Sequence, residues 1–204
     1  RIADLEGAED AFATASGMAA VNGALMCGLK AGDHVVSSRA LFGSCLYIVD
    51  TILPRFGIDV TLVDGCDLEA WRGAMRSDTK LVFFEALSNP TLEVIDIAAV
   101  CEIAHAVGAR VVCDNVFATP ILQRSFDLGV DVIVYSATKH IDGQGRCLGG
   151  VVLGSRDFIR RLSAAVLMLA ADWFMRAFET CRRGRLAVSA IGSSNEGRCC
   201  SCRS

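Results

Sequence analysis

The sequence predicts a three-layer α/β/α domain in which helices cover both faces of a mostly parallel, seven-stranded sheet. Three observations support this fold class. Short segments rich in Val, Ile, Leu and Phe alternate with longer segments of helical pattern over residues 1–162. Several of the apolar segments lack polar alternation, which is typical of strands buried on both faces. Glycine and polar residues follow the apolar segments, where an α/β sheet places its loops.

Seven segments have the composition of strands. They are Ala11–Thr14, His34–Ser37, Ile58–Val63, Leu81–Glu85, Arg110–Asp114, Asp131–Ser136 and Gly150–Gly154. Two helices between them have clear boundary signals. Met18–Leu29 is followed by Gly32, and Ile97–Val107 begins after Asp96, a favoured N-cap residue, and ends before Gly108. Helices between successive strands indicate β-α-β units and therefore parallel neighbours.

The pattern changes near Ser163. Residues 163–204 are rich in Arg and Cys, have no clear period and end in Cys199-Cys200-Ser201-Cys202. We therefore expect a domain over residues 1–162 and a divergent tail over 163–204, which is disordered or translated in a shifted frame. The apolar tract Leu162 to Met175 is interrupted by Asp172 and is shorter than the roughly 20 residues that span a bilayer. We expect it to form a buried or distorted helix.

Composition limits the function classes. The chain is 52% hydrophobic and 21% charged, with a formal net charge of −3. This is typical of a globular domain with one sizeable core, and it disfavours a nucleic-acid partner, which requires clustered Lys and Arg. Because the sequence has neither a signal segment nor a membrane-spanning run, we expect a cytoplasmic location and no membrane partner. A small-molecule ligand is the remaining expectation.

Four groups of polar residues follow predicted strands, at the edge where α/β sheets bind ligands. They are Ser16-Gly17-Met18, Ser88-Asn89-Pro90, Asp114-Asn115 and Ser136-Ala137-Thr138-Lys139-His140. Because parallel strands end at a common edge, these four groups are expected to lie close together in the folded chain.

Lys139 and Asp114 have the most specific chemistry in these groups. A deprotonated lysine can form a Schiff base, and partial burial or a nearby cation helps to keep the amine neutral. A carboxylate at a strand end can hold a pyridinium nitrogen in its protonated form. Alone, Lys139 is more often a surface lysine, and Asp114 is about as often a strand-end residue that caps the next turn. On adjacent strands, however, the two bracket a space about the size of a pyridine ring.

Gly17 and Met18 begin a helix that could bind a phosphate. The first N–H groups of a helix are free, and a glycine allows the backbone to approach an anion closely. Ser136 and Thr138 add hydroxyl donors on a neighbouring loop. A Ser-Gly helix start is by itself a weak signal, because many such starts are plain caps.

Two further residues are weaker candidates for binding a ring. Phe42 could stack on a ring face and Asn89 could hydrogen-bond a ring oxygen, although a core phenylalanine and an ordinary turn are the commoner outcomes. The three histidines, His34, His105 and His140, do not have the spacing of a metal site. We interpret these histidines as structural, or as contacting the residues that bind the ligand, and we expect no metal.

These motifs resemble those of the Cys/Met metabolism enzyme family that depends on pyridoxal 5'-phosphate (PLP), which has PLP fold type I. The matching segments are Ala13-Thr14-Ala15-Ser16-Gly17-Met18-Ala19-Ala20, Glu85-Ala86-Leu87-Ser88-Asn89-Pro90-Thr91-Leu92, Asp114-Asn115 and Ser136-Ala137-Thr138-Lys139-His140. Within that family, the stretch from Ser136 to Gly150 is most similar to the O-succinylhomoserine sulfhydrylase branch.

The resemblance implies a role for each candidate residue and a homotetramer built from dimers. Lys139 would be the catalytic lysine that binds PLP covalently, and Asp114 would pair with the pyridine nitrogen. The other implied contacts are Gly17, Met18, Ser136 and Thr138 at the phosphate, Asn89 at the ring hydroxyl and Phe42 against the ring face. The implied reaction is replacement of the γ-substituent of an activated homoserine ester by sulfide, in methionine biosynthesis.

Three alternatives to this reaction stay open. The chain could resemble a cystathionine γ-synthase or a γ-lyase of the same family, or it could be a PLP-binding remnant without catalysis. The family usually has an N-terminal Tyr-x-Arg segment and a C-terminal domain with a substrate-binding arginine, and neither is found here. We therefore expect an N-terminally truncated large domain, a missing small domain and weak turnover. A nucleotide-binding module is disfavoured because no G-x-G-x-x-G motif follows a strand.

Overall fold

A seven-stranded sheet forms the centre of the computed structural model, which describes residues 1–166. The strands are β1 (Asp10–Thr14), β2 (His34–Ser38), β3 (Asp59–Val63), β4 (Thr79–Glu85), β5 (Arg110–Asp114), β6 (Val132–Ser136) and β7 (Gly150–Gly154). Their spatial order is β1-β7-β6-β5-β4-β2-β3. Neighbouring strands from β6 to β3 are parallel, and β7 is antiparallel to both β1 and β6. The predicted sheet is confirmed, with each strand end within a residue or two of its predicted position.

Helices follow the strands on both sides of the sheet. They are α1 (Ile2–Glu6), α2 (Gly17–Met26), α3 (Gly43–Tyr47), α4 (Leu53–Arg55), α5 (Leu68–Ala74), α6 (Ile97–Ala106), α7 (Thr119–Leu122) and α8 (156–166). A π-helical turn over Ile48–Ile52 joins α3 to α4, and a short 3₁₀ helix covers Ser125–Leu128. Along the described part of the chain, no helix has both the length and the apolar character needed to cross a membrane.

The apolar core consists of two clusters, one on each face of the sheet. In β5, Val112 packs in the cluster that contains the buried face of α2, whereas Val111 and Cys113 pack in the cluster that contains α6. This alternation follows from the two-residue period of a strand. Because both faces of a central strand are apolar and covered, the strand has the continuous hydrophobic run seen in the sequence. The predicted three layers are confirmed.

Capping residues set several helix boundaries. The predicted N-cap Asp96 accepts a hydrogen bond from the N–H of Ala99 at 3.1 Å, and α6 begins at the next residue as expected. The predicted end of α2 at Leu29 is wrong, because the helix ends at Met26. Gly28 has φ +96°, a left-handed conformation that stops the helix three residues early. Residues 163–166, the start of the predicted tail, continue α8, and the rest of that tail and of the tract that starts at Leu162 lies outside the described residues.

Candidate active site

A cavity of about 490 Å³ opens at the carboxyl edge of the sheet. All eight candidate residues line it: Gly17, Met18, Phe42, Asn89, Asp114, Ser136, Thr138 and Lys139. They come from loops and helix starts that follow β1, β2, β4, β5 and β6. The sequence therefore predicted the convergence of these loops correctly, because parallel strands end at a common edge.

Asp114 lies at the floor of this cavity as the last residue of β5. Its Oδ1 accepts a hydrogen bond from the Val116 N–H at 3.0 Å. Burial raises the pKa of Asp114 to about 7; the Val116 N–H opposes the rise and the negative charge of Glu85 adds to it. Within residues 1–166, no cationic side chain pairs with this carboxylate. A protonated ring nitrogen would therefore supply a partner that the described chain does not.

Lys139 lies three residues beyond β6 in a turn that fixes its backbone. Its N–H donates to the Ser136 carbonyl at 3.2 Å, and its own carbonyl accepts from the Gly143 N–H at 2.8 Å. The side chain lines the cavity but is exposed, because the glycine-rich loop after it stays at the surface.

The start of α2 packs closely against the end of β6. A Cβ atom on Gly17 would lie 2.6 Å from the Cβ of Ser136, closer than side chains can approach, so this contact requires glycine. Ser16 caps the helix by accepting the N–H of Ala19 at 3.1 Å. The first N–H groups of a helix, here those of Gly17 and Met18, have no intrahelical acceptor and can bind an anion.

Two hydroxyl groups lie beside this helix start. The hydroxyl oxygen of Thr138 accepts the Gly149 N–H at 3.1 Å, so this side chain also holds the loop that returns to β7. Ser136 ends β6 and is in direct contact with Gly17 across the cavity wall. Together the helix start and the two hydroxyls form an N–H and O–H cradle of the kind that binds phosphate.

Glu85 is a site residue that the sequence reasoning missed. It is the last residue of β4, is 5% exposed and lies in register with Asp114 of β5. Its Oε1 accepts the Phe42 N–H at 2.6 Å, and its Oε2 accepts the Asn89 N–H at 2.9 Å. The sequence signal was a charged residue that ends an apolar strand, the same signal that identified Asp114.

Unlike Glu85, the other cavity residues that the sequence analysis missed had no clear sequence signal. His140, interpreted from sequence as structural or supporting, lines the cavity itself. The remaining apolar lining comes from Val21, Cys45, Leu87, Val116, Phe117 and Leu148. Most of these residues lie in loops, whose packing has no period that a sequence pattern can reveal.

Cys45 completes a small cluster with the two carboxylates. Its Sγ and the carboxylate oxygens of Glu85 and Asp114 all lie within 4.8 Å of one another. Burial, with the nearby negative charge of both carboxylates, raises the pKa of the Cys45 thiol.

Comparison with known proteins points to one family. A family model described as Cys/Met metabolism PLP-dependent enzyme matches residues 1–180. The O-succinylhomoserine sulfhydrylase of Mycobacterium tuberculosis is 59% identical over 159 residues, which cover 78% of this chain and 39% of that protein. The L-methionine gamma-lyase of Porphyromonas gingivalis is 41% identical over 163 residues, which cover 79% of this chain and 41% of that protein.

Solved structures give the same result. An O-acetylhomoserine (thiol)-lyase of Campylobacter jejuni, solved with N'-pyridoxyl-lysine-5'-monophosphate, is similar with a TM-score of 0.74 and 37% sequence identity. The similarity covers 78% of this chain and 40% of that chain. The described chain thus has the fold of these proteins, and it spans about two fifths of the length of the relatives it matches.

Proposed function

The chain belongs to the Cys/Met metabolism PLP-dependent enzyme family, and on that premise we propose that its cavity binds PLP and serves an O-succinylhomoserine sulfhydrylase reaction. The observation that carries the proposal is the convergence of all eight predicted residues on one cavity. The 59% identity to an O-succinylhomoserine sulfhydrylase, against 41% to an L-methionine gamma-lyase, favours γ-replacement over γ-elimination.

The residues of the cavity fit PLP in size and charge. A volume of about 490 Å³ is within the range of small-molecule sites. The free N–H groups at Gly17 and Met18, with the hydroxyls of Ser136 and Thr138, suit the phosphate. The carboxylate of Asp114, which has no cationic partner among residues 1–166, suits a pyridinium nitrogen at the opposite end of the ring.

The ring itself would contact Phe42 and Asn89. Phe42 would stack on its face, and Asn89 would hydrogen-bond its hydroxyl group. Lys139 Nζ would hold the cofactor covalently and, once released by substrate, would carry a proton at the substrate α-carbon as general base. When bound, PLP supplies an electron sink for charge that develops at that carbon. Asp114 maintains the sink by keeping the ring nitrogen protonated.

We further propose that the chain assembles as the family resemblance implies, into a homotetramer built from dimers. Three strongly exposed apolar side chains support it: Ile121 is 79% exposed, Leu122 81% and Leu148 78%. Exposed apolar side chains of this kind are typical of a surface that a second subunit covers.

A comparison of two rates on one preparation tests the reaction. The PLP-loaded chain is mixed either with O-succinylhomoserine and sulfide or with methionine alone, and formation of homocysteine is compared with release of methanethiol. We expect homocysteine formation to be faster. Faster methanethiol release would favour a γ-lyase, and no product in either mixture, with PLP bound, would favour a non-catalytic remnant. Because both substrates meet the same enzyme, the ratio of rates is independent of how much of the preparation is active.

A further inference from the structure

We propose that Glu85 is a positioning residue for the cofactor. It fixes the two cavity walls that contain Phe42 and Asn89, and it places a second negative charge beside Asp114. The inference rests on the proposed function, because it assumes that PLP binds in this cavity. Glu85 itself is not expected to touch the reacting atoms, so it would act through Phe42, Asn89 and Asp114.

Glu85 joins two walls of the cavity, one that contains Phe42 and one that contains Asn89. Both residues lie four positions beyond the ends of the neighbouring strands β2 and β4, outside the part in which these strands pair. The Glu85 carboxylate links them directly, since one oxygen accepts the Phe42 N–H at 2.6 Å and the other accepts the Asn89 N–H at 2.9 Å. Both bonds are charge-assisted and the carboxylate is only 5% exposed, so the link is short and shielded from water.

Glu85 also adds negative charge beside Asp114. Glu85 and Asp114 are register partners on adjacent parallel strands, and their carboxylate oxygens lie within 4.8 Å of each other. Cys45 from α3 faces the pair, and Lys139 and His140 from the loop after β6 line the same cavity. Two neighbouring carboxylates favour a positive partner more than one does. A protonated ring nitrogen held by Asp114 would therefore be stabilised by Glu85 as well.

Three variants separate the fixing of the cavity walls from the effect of the negative charge. Glu85→Gln removes the charge and leaves one oxygen to accept where two accepted before. Glu85→Asp retains the charge but is one methylene shorter, so it loses reach. Asp33→Asn is the matched control, because Asp33 is also a buried carboxylate that accepts a backbone N–H, from Lys30 at 2.9 Å, and it does not line the cavity.

Each variant is measured in the 204-residue chain by titration with PLP and by the NMR shift of PLP labelled with ¹⁵N at its ring nitrogen. For Glu85→Gln we expect about tenfold weaker PLP binding and a shift toward the unprotonated ring. For Glu85→Asp we expect weaker binding with a wild-type shift. The control should bind PLP with an affinity within about twofold of wild type, a difference too small to indicate a lost contact.

Several results would overturn the inference. Wild-type affinity and shift in Glu85→Gln, or an equal loss in Glu85→Gln and the Asp33 control, would show that Glu85 is merely structural. If Glu85→Gln does not fold, wild-type affinity in Glu85→Asp would refute the positioning role. If the wild-type chain takes up no PLP, the proposed function fails together with this inference, whereas wild-type binding with unaffected Glu85 variants refutes the inference alone.

Discussion

Replacing Asp114 by Asn should make the cofactor-free chain more stable at alkaline pH while weakening its binding of PLP. Burial raises the pKa of Asp114 from 3.8 to about 7 in the folded chain. The unfolded chain therefore releases this proton at lower pH than the folded chain does. Ionisation of Asp114 consequently lowers the free energy of unfolding as the pH rises from about 4 to about 7, and the loss is complete above that range.

The magnitude follows from the size of the pKa shift. A difference of about three pKa units corresponds to an upper limit of about 4 kcal/mol at about pH 8. Because the Asp114 side chain is half-buried and opens on the cavity, water reduces this cost, and we expect a gain of about 2 kcal/mol in Asp114→Asn. The variant loses the charge but keeps an oxygen that can accept the Val116 N–H, which lies at 3.0 Å in the wild-type chain.

Urea unfolding of both proteins, at about pH 5 and at about pH 8, tests this prediction. Without PLP, the variant should be more stable than wild type, and the difference should be larger at the higher pH. With PLP added, the stabilisation of the wild type should exceed that of the variant, because the variant lacks the anionic partner of the ring nitrogen. Equal unfolding midpoints of the two proteins at both pH values would refute the account of Asp114 as a carboxylate whose ionisation is made unfavourable by burial.

Two further predictions concern packing around the site. Gly17→Ala should lower the free energy of unfolding by about 2 kcal/mol and weaken PLP binding, because its Cβ would lie 2.6 Å from that of Ser136. The matched control Gly73→Ala in α5 has no atom within 4 Å of its added Cβ, so it should be neutral or stabilise by up to about 1 kcal/mol; equal melting temperatures for the two variants would contradict this. Tyr135→Phe should cost about 1–3 kcal/mol of unfolding free energy, with little change in PLP affinity, because the Tyr135 hydroxyl donates to the buried carboxylate of Glu6. Calorimetry measures that cost, and an unchanged melting temperature would show that Glu6 does not depend on this bond.

The sequence was sufficient to predict the fold and the family. Strands such as β5 could be identified because a strand with both faces covered is a continuous apolar run, as in Arg110–Asp114. The capping signal at Asp96 was also correct, because a local side chain sets that helix boundary. The family assignment and the dependence on PLP are confirmed by the family model and by a related structure that contains a pyridoxyl-lysine.

Other features required the three-dimensional structure. The two hydrogen bonds of Glu85 join loops that are far apart along the chain, and no pattern in the sequence relates Phe42 to Asn89. The exposure of Lys139 depends on the path of the loop that follows it. The individual roles of the cavity residues in binding PLP stay predictions, since position in a cavity gives proximity and not chemistry.

Reductive labelling tests the central claim, that PLP binds this cavity through Lys139, most directly. The chain contains three lysines, Lys30, Lys80 and Lys139. All three are exposed, so exposure alone would label them equally, and only Lys139 of the three lines the cavity. After incubation with PLP, borohydride reduction and peptide mapping, we expect the label on Lys139 and its disappearance in Lys139→Ala. Label shared among the three lysines, or retained in Lys139→Ala, would contradict the claim.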